Sequence, residues 1–223
     1  MMKSERPSVS SSEKTRNKTH RAMATSLLII GLGNPGEEYE MTRHNAGAIS
    51  VRRLATHLGV PFETKPKLFA EITETKGKGR RLILACPTTY MNQSGKSAAA
   101  LSRFFKVPPR AIVVVHDDMD LALGTIKIVE NRGAGGHKGV KSVFRALGTQ
   151  DIARVRIGTM GGSRNQRPGR RALDDLVVRK LTAEERRALT RGTRKAAEAL
   201  ETILIEGLAT AMTIHNREKG NAA

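Results

Sequence analysis

From residue 26 onward the chain alternates between short apolar runs and stretches in which apolar residues recur three and four positions apart. Leu27 to Ile30 is a continuous apolar run that predicts a buried strand, and Val51, Leu54, Ala55 and Leu58 then fall at helical spacing. Leu68 to Thr75 and Leu82 to Cys86 read as two strands, and Ser94 to Phe105 as a helix with Ser94 as its N-cap. Further on, "AIVVVHDD" is a buried strand ending in acids and "TIKIVENR" alternates like a half-exposed strand. "HKGVKSVFRALG" is helical and closes on Gly148, and "ARVRIG" is another short strand. Thr182 and Glu185 in "LTAEERRAL" have the spacing of a capping box, opening a C-terminal helix with Leu189, Ala197, Leu200 and Leu204 on one side. Interleaved strands and helices predict an α/β class, and adjacent strands at 68 to 86 with no helix between them require a mixed sheet. The expected fold is therefore a single-domain three-layer sandwich, its twisted, mostly parallel sheet flanked by helices.

Length and composition refine this picture. With 223 residues, 39% of them hydrophobic, the chain can bury one sizeable core, assigned to residues 26–223. Residues 1–25 carry six Lys/Arg against two Glu and almost no apolar side chains, so they read as a disordered basic arm. A transit peptide, or a leader upstream of a start at Met23, explains the same stretch. Lys plus Arg number 39 against 21 Asp plus Glu, a formal charge of +18 that favours a polyanionic partner, nucleic acid first among them. Aromatic residues make up only 3%, with no Trp, so contact with phosphates is expected over base stacking. The Gly/Arg/Pro loop "GGSRNQRPGRRALDD" and the C-terminal helix are the basic segments expected to face such a partner. Cys86 is the only cysteine, which excludes an intrachain disulfide and a Cys-rich metal site. No run reaches the roughly 18 apolar residues of a membrane span and no secretory h-region is present, so a cytoplasmic location is expected.

Candidate chemistry gathers in four stretches. "LLIIGLGNPGEEYEMTRHNAG" contains G-x-G-x-x-G after a strand, but a dinucleotide loop must run straight into a helix and place an acid about 20 residues on. Here Pro35-Gly36 reads as a turn and the expected acid position holds Val51, Arg52 and Arg53, so the glycines are expected to turn the chain and expose Asn34. An NADP-dependent reductase using Arg52 or Arg53 is the corresponding alternative. "TRHNAG" sets His44 just before a helix starting near Asn45, with Thr42 or Asn45 as its cap. The positive end of the helix dipole there favours a neutral imidazole, a usable base. "VVVHDDMDL" ends a buried strand in Asp117, Asp118 and Asp120. If Asp117 reaches His44, the pair has base-plus-orienter geometry, while the three acids could instead hold Mg²⁺. "TTYMNQSGK" fails as a P-loop because Tyr90 stands where Gly is needed, leaving Asn92 as an amide ahead of a helix. In "NRGAGGHKGVK", glycines surround His137 and Lys138, and exposed backbone N–H groups together with Lys138 suit phosphate oxygens. With no G-x-S-x-G and Cys86 in an apolar strand, water is the expected nucleophile.

On "GLGNPGEEYEMTRHNAG", "PTTYMNQSGK", "HDDMDLALG", "GGHKG" and "RIG", in that order, the chain resembles bacterial-type peptidyl-tRNA hydrolases from Leu27 to the C-terminal helix. The resemblance implies a monomeric, metal- and cofactor-independent α/β enzyme that needs no protein partner and hydrolyses the ester between a peptide and the 3′ ribose of tRNA. It implies catalytic roles for His44 as general base, Asp117 as its orienting partner and Asn34 as the residue that tells a blocked amino group from a free one. Tyr39, Tyr90 and Asn92 take positions lining the peptide and 3′-end site. Lys138 stands where many members have Asn, and an ammonium donates but cannot accept, so it is expected to contact substrate on its own chemistry. A related protein that binds RNA without turnover is the competing reading.

Overall fold

The computed structural model describes residues 26–160 and 179–217; the basic arm 1–25 and the whole Gly/Arg/Pro loop lie outside the described residues. Seven strands form one sheet. They are β1 (Ser26–Gly31), β2 (Glu63–Lys65), β3 (Ala70–Gly77), β4 (Arg80–Pro87), β5 (Ile112–Ala122), β6 (Ile126–Val129) and β7 (Ala153–Met160). Their order is β2-β3-β4-β1-β5-β7-β6. The central strands β4, β1, β5 and β7 pair in parallel, and β2, β3 and β6 add antiparallel edges. The apolar runs of β1, β4 and β5 are central because both of their faces are covered, the usual condition of a parallel sheet.

Alternate residues of each central strand feed two cores. Leu27 and Ile29 on β1 join Leu82, Leu84, Val113 and Val115 in a core closed by α1 (Ala46–His57), α4 (Ala183–Glu206) and α5 (Leu208–His215). Leu28 and Ile30 join Ile83, Val114 and Ile112 in the opposite core, under α2 (Ser94–Phe104) and α3 (Lys138–Leu147). The three-layer α/β expectation is thus observed, and Gly148 closes α3 in the left-handed region at φ 69°.

The helix starts differ in part from those expected. Thr182 and Glu185 do form the reciprocal capping box of α4. Ser94, however, is the first helical residue of α2 and its hydroxyl donates to the Met91 carbonyl; the N-cap is Gln93, which makes no side-chain capping bond. Neither Thr42 nor Asn45 caps with its side chain: Asn45 precedes α1 but spends its amide on the β1–α1 loop. The glycines of the first motif serve close packing. A Cβ at Gly47 would lie 2.2 Å from the Val115 carbonyl oxygen, and one at Gly31 would lie 2.6 Å from the Gly47 carbonyl oxygen, so α1 presses directly on β1 and β5.

Candidate active site

His44 lies in a 3₁₀ turn, Arg43–Asn45, that leads into α1, at the carboxyl end of the parallel strands. Asp117 lies on β5 beside it, 2% exposed, in register with Ile157 of β7. His44 Nδ1 lies 2.9 Å from Asp117 Oδ1. The same oxygen is 2.8 Å from Nε2 of His137, the residue preceding α3. Asp117 is buried and ionised, so as the acceptor it receives an N–H from each ring.

The tautomer of His137 follows from its other nitrogen. The Val140 backbone N–H donates to His137 Nδ1 at 3.2 Å, capping α3. In the neutral ring the proton therefore sits on Nε2 and is aimed at Asp117. His44, Asp117 and His137 are also, among the described residues, a group whose donor atoms lie within 4.8 Å of one another, as a metal site would require. A metal on His137 Nε2 would need the lone pair that this capping bond replaces with a proton, so the donor set is committed to hydrogen bonding. Burial alone would raise the Asp117 carboxyl; the charges and N–H bonds of the His44 and His137 rings outweigh it and hold the group well below the ordinary carboxylate range. With His44 Nδ1–H on Asp117, the basic lone pair of that ring is on Nε2.

Behind the pair lies a buried second layer. His116 Nδ1 donates to the Asp117 carbonyl at 2.7 Å, and Arg154 approaches its Nε2 at 3.4 Å. Burial, then the neighbouring His137 and Arg154 charges, push His116 well below the usual imidazole range, which keeps it neutral. Arg154 also donates to the carbonyls of Arg132 and Gly133 at 2.7 and 3.0 Å and so fixes the glycine loop that carries His137. Burial and the nearby Arg156 lower the Arg154 guanidinium to about 10. The alternative in which three acids share a metal gains no support: Asp118 pairs with Arg156 and accepts from the Asp120 backbone N–H at 2.8 Å.

Asn34 stands across Asn45 from this cluster. The Asn45 side chain accepts from the Asn34 backbone N–H at 2.8 Å and donates to its carbonyl at 3.0 Å. Asn34 Oδ1 accepts from the Met91 N–H at 2.8 Å, which leaves the Asn34 side-chain NH₂ as its donor toward a ligand. A cleft of about 610 Å³ opens at Asn34 and Asn45 and runs past Met41, Ile49, Arg52 and Cys86. Neither His44 nor Asp117 lines it, so it adjoins the His44–Asp117 pair through Asn45 and does not contain it. Tyr90 and Asn92 flank Met91 and are exposed, Tyr39 is half-buried, and Lys138 is exposed at the first position of α3. Met91 Sδ would lie 2.4 Å from a Cβ at Gly139, so the Tyr90–Asn92 segment meets the α3 N-terminus there. His137, His116, Arg154 and Arg43 were not singled out as site residues by sequence reasoning; a histidine directly ahead of a helix in "GGHKG" was the available signal for His137.

Fold and site together define an α/β protein with a hydrogen-bonded histidine–carboxylate cluster at the carboxyl end of its parallel strands. Residues 28–222 match the family described as peptidyl-tRNA hydrolase. The chain is 41% identical over 184 residues to the peptidyl-tRNA hydrolase of Nocardia farcinica, covering 82% of this chain and 93% of that protein. It is 41% identical over 186 residues to that of Mycobacterium tuberculosis H37Rv, covering 83% and 95%. The crystal structure of the Acinetobacter baumannii peptidyl-tRNA hydrolase superposes with a TM-score of 0.79 at 31% identity, covering 88% of this chain and 97% of that one. A peptidyl-tRNA hydrolase solved with N-propanol gives 0.80 at 31%, covering 89% and 98%. The chain belongs to the peptidyl-tRNA hydrolase family, whose reaction is the hydrolysis of peptidyl-tRNA. Among the described residues no helix is long and apolar enough to cross a membrane.

Proposed function

We propose that His44 is the general base of this hydrolysis. Its Nε2 takes a proton from water as the water oxygen attacks the ester carbonyl joining the peptide to the 3′-terminal ribose of tRNA. Asp117 fixes the His44 tautomer through Nδ1 and stabilises the imidazolium that results; returning that proton to the ribose oxygen lets the tRNA leave. The observation that carries this reading is the 2.9 Å contact between His44 Nδ1 and Asp117 Oδ1. The 2.8 Å bond from His137 supports it by holding the carboxylate ionised and in place.

Asn34 suits the choice of a blocked over a free amino group. With its oxygen engaged by Met91, it presents a donor, which pairs with the carbonyl of an N-acyl group and has no partner in a free ammonium. Tyr39, Tyr90 and Asn92 line the peptide and 3′-end site in this reading, and Lys138 contributes an ammonium to substrate oxygens. The chain acts as a monomer in the cytoplasm, without a metal or other cofactor.

Single-turnover cleavage of an N-blocked aminoacyl-tRNA tests the base. His44→Ala is expected to lower the rate by roughly 10²- to 10⁴-fold while tRNA binding is retained. An unchanged rate would sink the assignment, and absence of turnover in the unaltered protein would favour the binding-only reading.

A further inference from the structure

Three consecutive residues at the entrance to α1 are tied to three different parts of the fold. His44 bonds to Asp117 on β5, and the Asn45 side chain closes two bonds onto the Asn34 backbone. Arg43 goes elsewhere. Its Nε donates to the Thr159 carbonyl at 3.2 Å, near the end of β7, and its Nη2 pairs closely with Glu185 Oε1. Arg43 is 1% exposed, a cation almost wholly out of water, and burial lowers its guanidinium while the Glu185 charge opposes that shift.

Glu185 is the capping-box glutamate of α4, its Oε2 accepting from the Thr182 N–H at 2.9 Å. The two carboxylate oxygens are thus divided, one mainly for the helix cap and one for Arg43. Arg179 also reaches Glu185 Oε1, at 3.1 Å. A buried ion pair is a weak source of stability, because desolvation cancels much of the attraction, but its planar guanidinium accepts few geometries.

We propose that Arg43 is a positioning residue for the hydrolytic reaction. Held by Glu185 and the Thr159 carbonyl, it fixes the 3₁₀ turn by contacts independent of those of Asn45 and keeps the His44 ring seated on Asp117. The N-terminal turn of α4, far along the chain, is thereby part of what orients the base. The proposal rests on the reading of His44 as that base.

Glu185→Gln is the informative substitution, since glutamine still supplies an amide oxygen to the helix cap but withdraws the charge facing Arg43. Arg43→Lys keeps the charge, loses the planar fork and isolates the Arg43 share from that of Arg179. The expected result for each is a kcat on N-blocked aminoacyl-tRNA lower by roughly tenfold with KM changed less than twofold, as for a small misplacement of a catalytic group. The ¹⁵N signals of the His44 ring should also change from a single tautomer toward an average of two.

Ser102→Ala serves as the control for simple destabilisation, because it removes a 2.8 Å hydrogen bond to the Val107 carbonyl beyond α2. If Glu185→Gln and Arg43→Lys lower Tm as Ser102→Ala does, yet leave kcat and the His44 ring spectrum unchanged, the tether is only structural and the proposal falls. The ring spectrum is read without substrate. A failure of the base assignment, seen as full activity in His44→Ala, is therefore distinguishable from a failure of the tether.

Discussion

At the scale of single residues, the site depends on one buried carboxylate oxygen that receives two ring N–H groups. That arrangement has a cost in acid. Asp117 is held well below the ordinary carboxylate range in the folded protein, so the unfolded chain takes up its proton first as pH falls below about 4, and the contribution of this group to stability is lost there. His116 is held down as well, and its unfolded counterpart binds a proton below about pH 6.5 that the folded state refuses. Both shifts act in one direction, with stability falling as pH falls. Tm should therefore begin to decline below about pH 6.5 and fall more steeply below 4. In His116→Gln the decline between pH 6.5 and 5 should be shallower, as checked by calorimetry at fixed ionic strength. A decline of equal slope in the two proteins would contradict the assignment of a buried, neutral His116.

At the scale of elements, the pattern of apolar runs was enough for the central strands, because burial on both faces leaves β1, β4 and β5 almost uninterrupted apolar sequences, whereas the exposed edge strand β2, Glu63–Lys65, has no apolar residue to mark it. His44, Asp117 and Asn34 were legible for a similar reason: His44 stands just ahead of a helix, Asp117 where the apolar run of β5 gives way to acids, and Asn34 in the glycine turn after β1, so local sequence marks each, although β5 itself continues to Ala122. His137, Arg154 and Arg43 were not, since their roles come from contacts across 20, 22 and 142 positions that no spacing rule encodes. The helix caps failed in part because Asn45 and Ser94 have competing partners in the folded state, a loop backbone for one and the Met91 carbonyl for the other. The glycines of "GLGNPG" and "HNAG" show the same limit, for what matters is the element they touch. In Gly47→Ala the new methyl would sit 2.2 Å from the Val115 carbonyl oxygen and 2.7 Å from the Leu32 nitrogen, both backbone atoms that cannot rotate away. Separating α1 from β1 and β5 should cost roughly 3 kcal/mol. For a chain of this length that is a fall in Tm of about 6 to 12 °C by differential scanning calorimetry. A Tm within a degree of the unaltered protein would show that the helix can shift without penalty.

At the scale of the whole molecule, the formal charge of +18 governs how a polyanionic substrate arrives and stays. Lys and Arg contacts to phosphates fix register without reading sequence, as suits an enzyme whose substrates share a 3′ end and differ in the tRNA body. Each neutralised phosphate releases counterions, so affinity should fall steeply with salt: with six or more contacts, Kd for tRNA should rise by about 10³-fold or more between 50 and 200 mM monovalent salt. The acid–base step should respond differently, because His44 and Asp117 are 13% and 2% exposed and their short-range contact is little screened. Steady-state kinetics over that range should therefore show KM climbing with salt while kcat, measured at saturating substrate, stays within about twofold. Fluorescence anisotropy of labelled tRNA gives the binding slope independently. A flat slope would mean that the basic residues serve solubility and that recognition resides in the cleft at Asn34; a kcat that falls in step with affinity would mean that phosphate contacts also position the ester against His44.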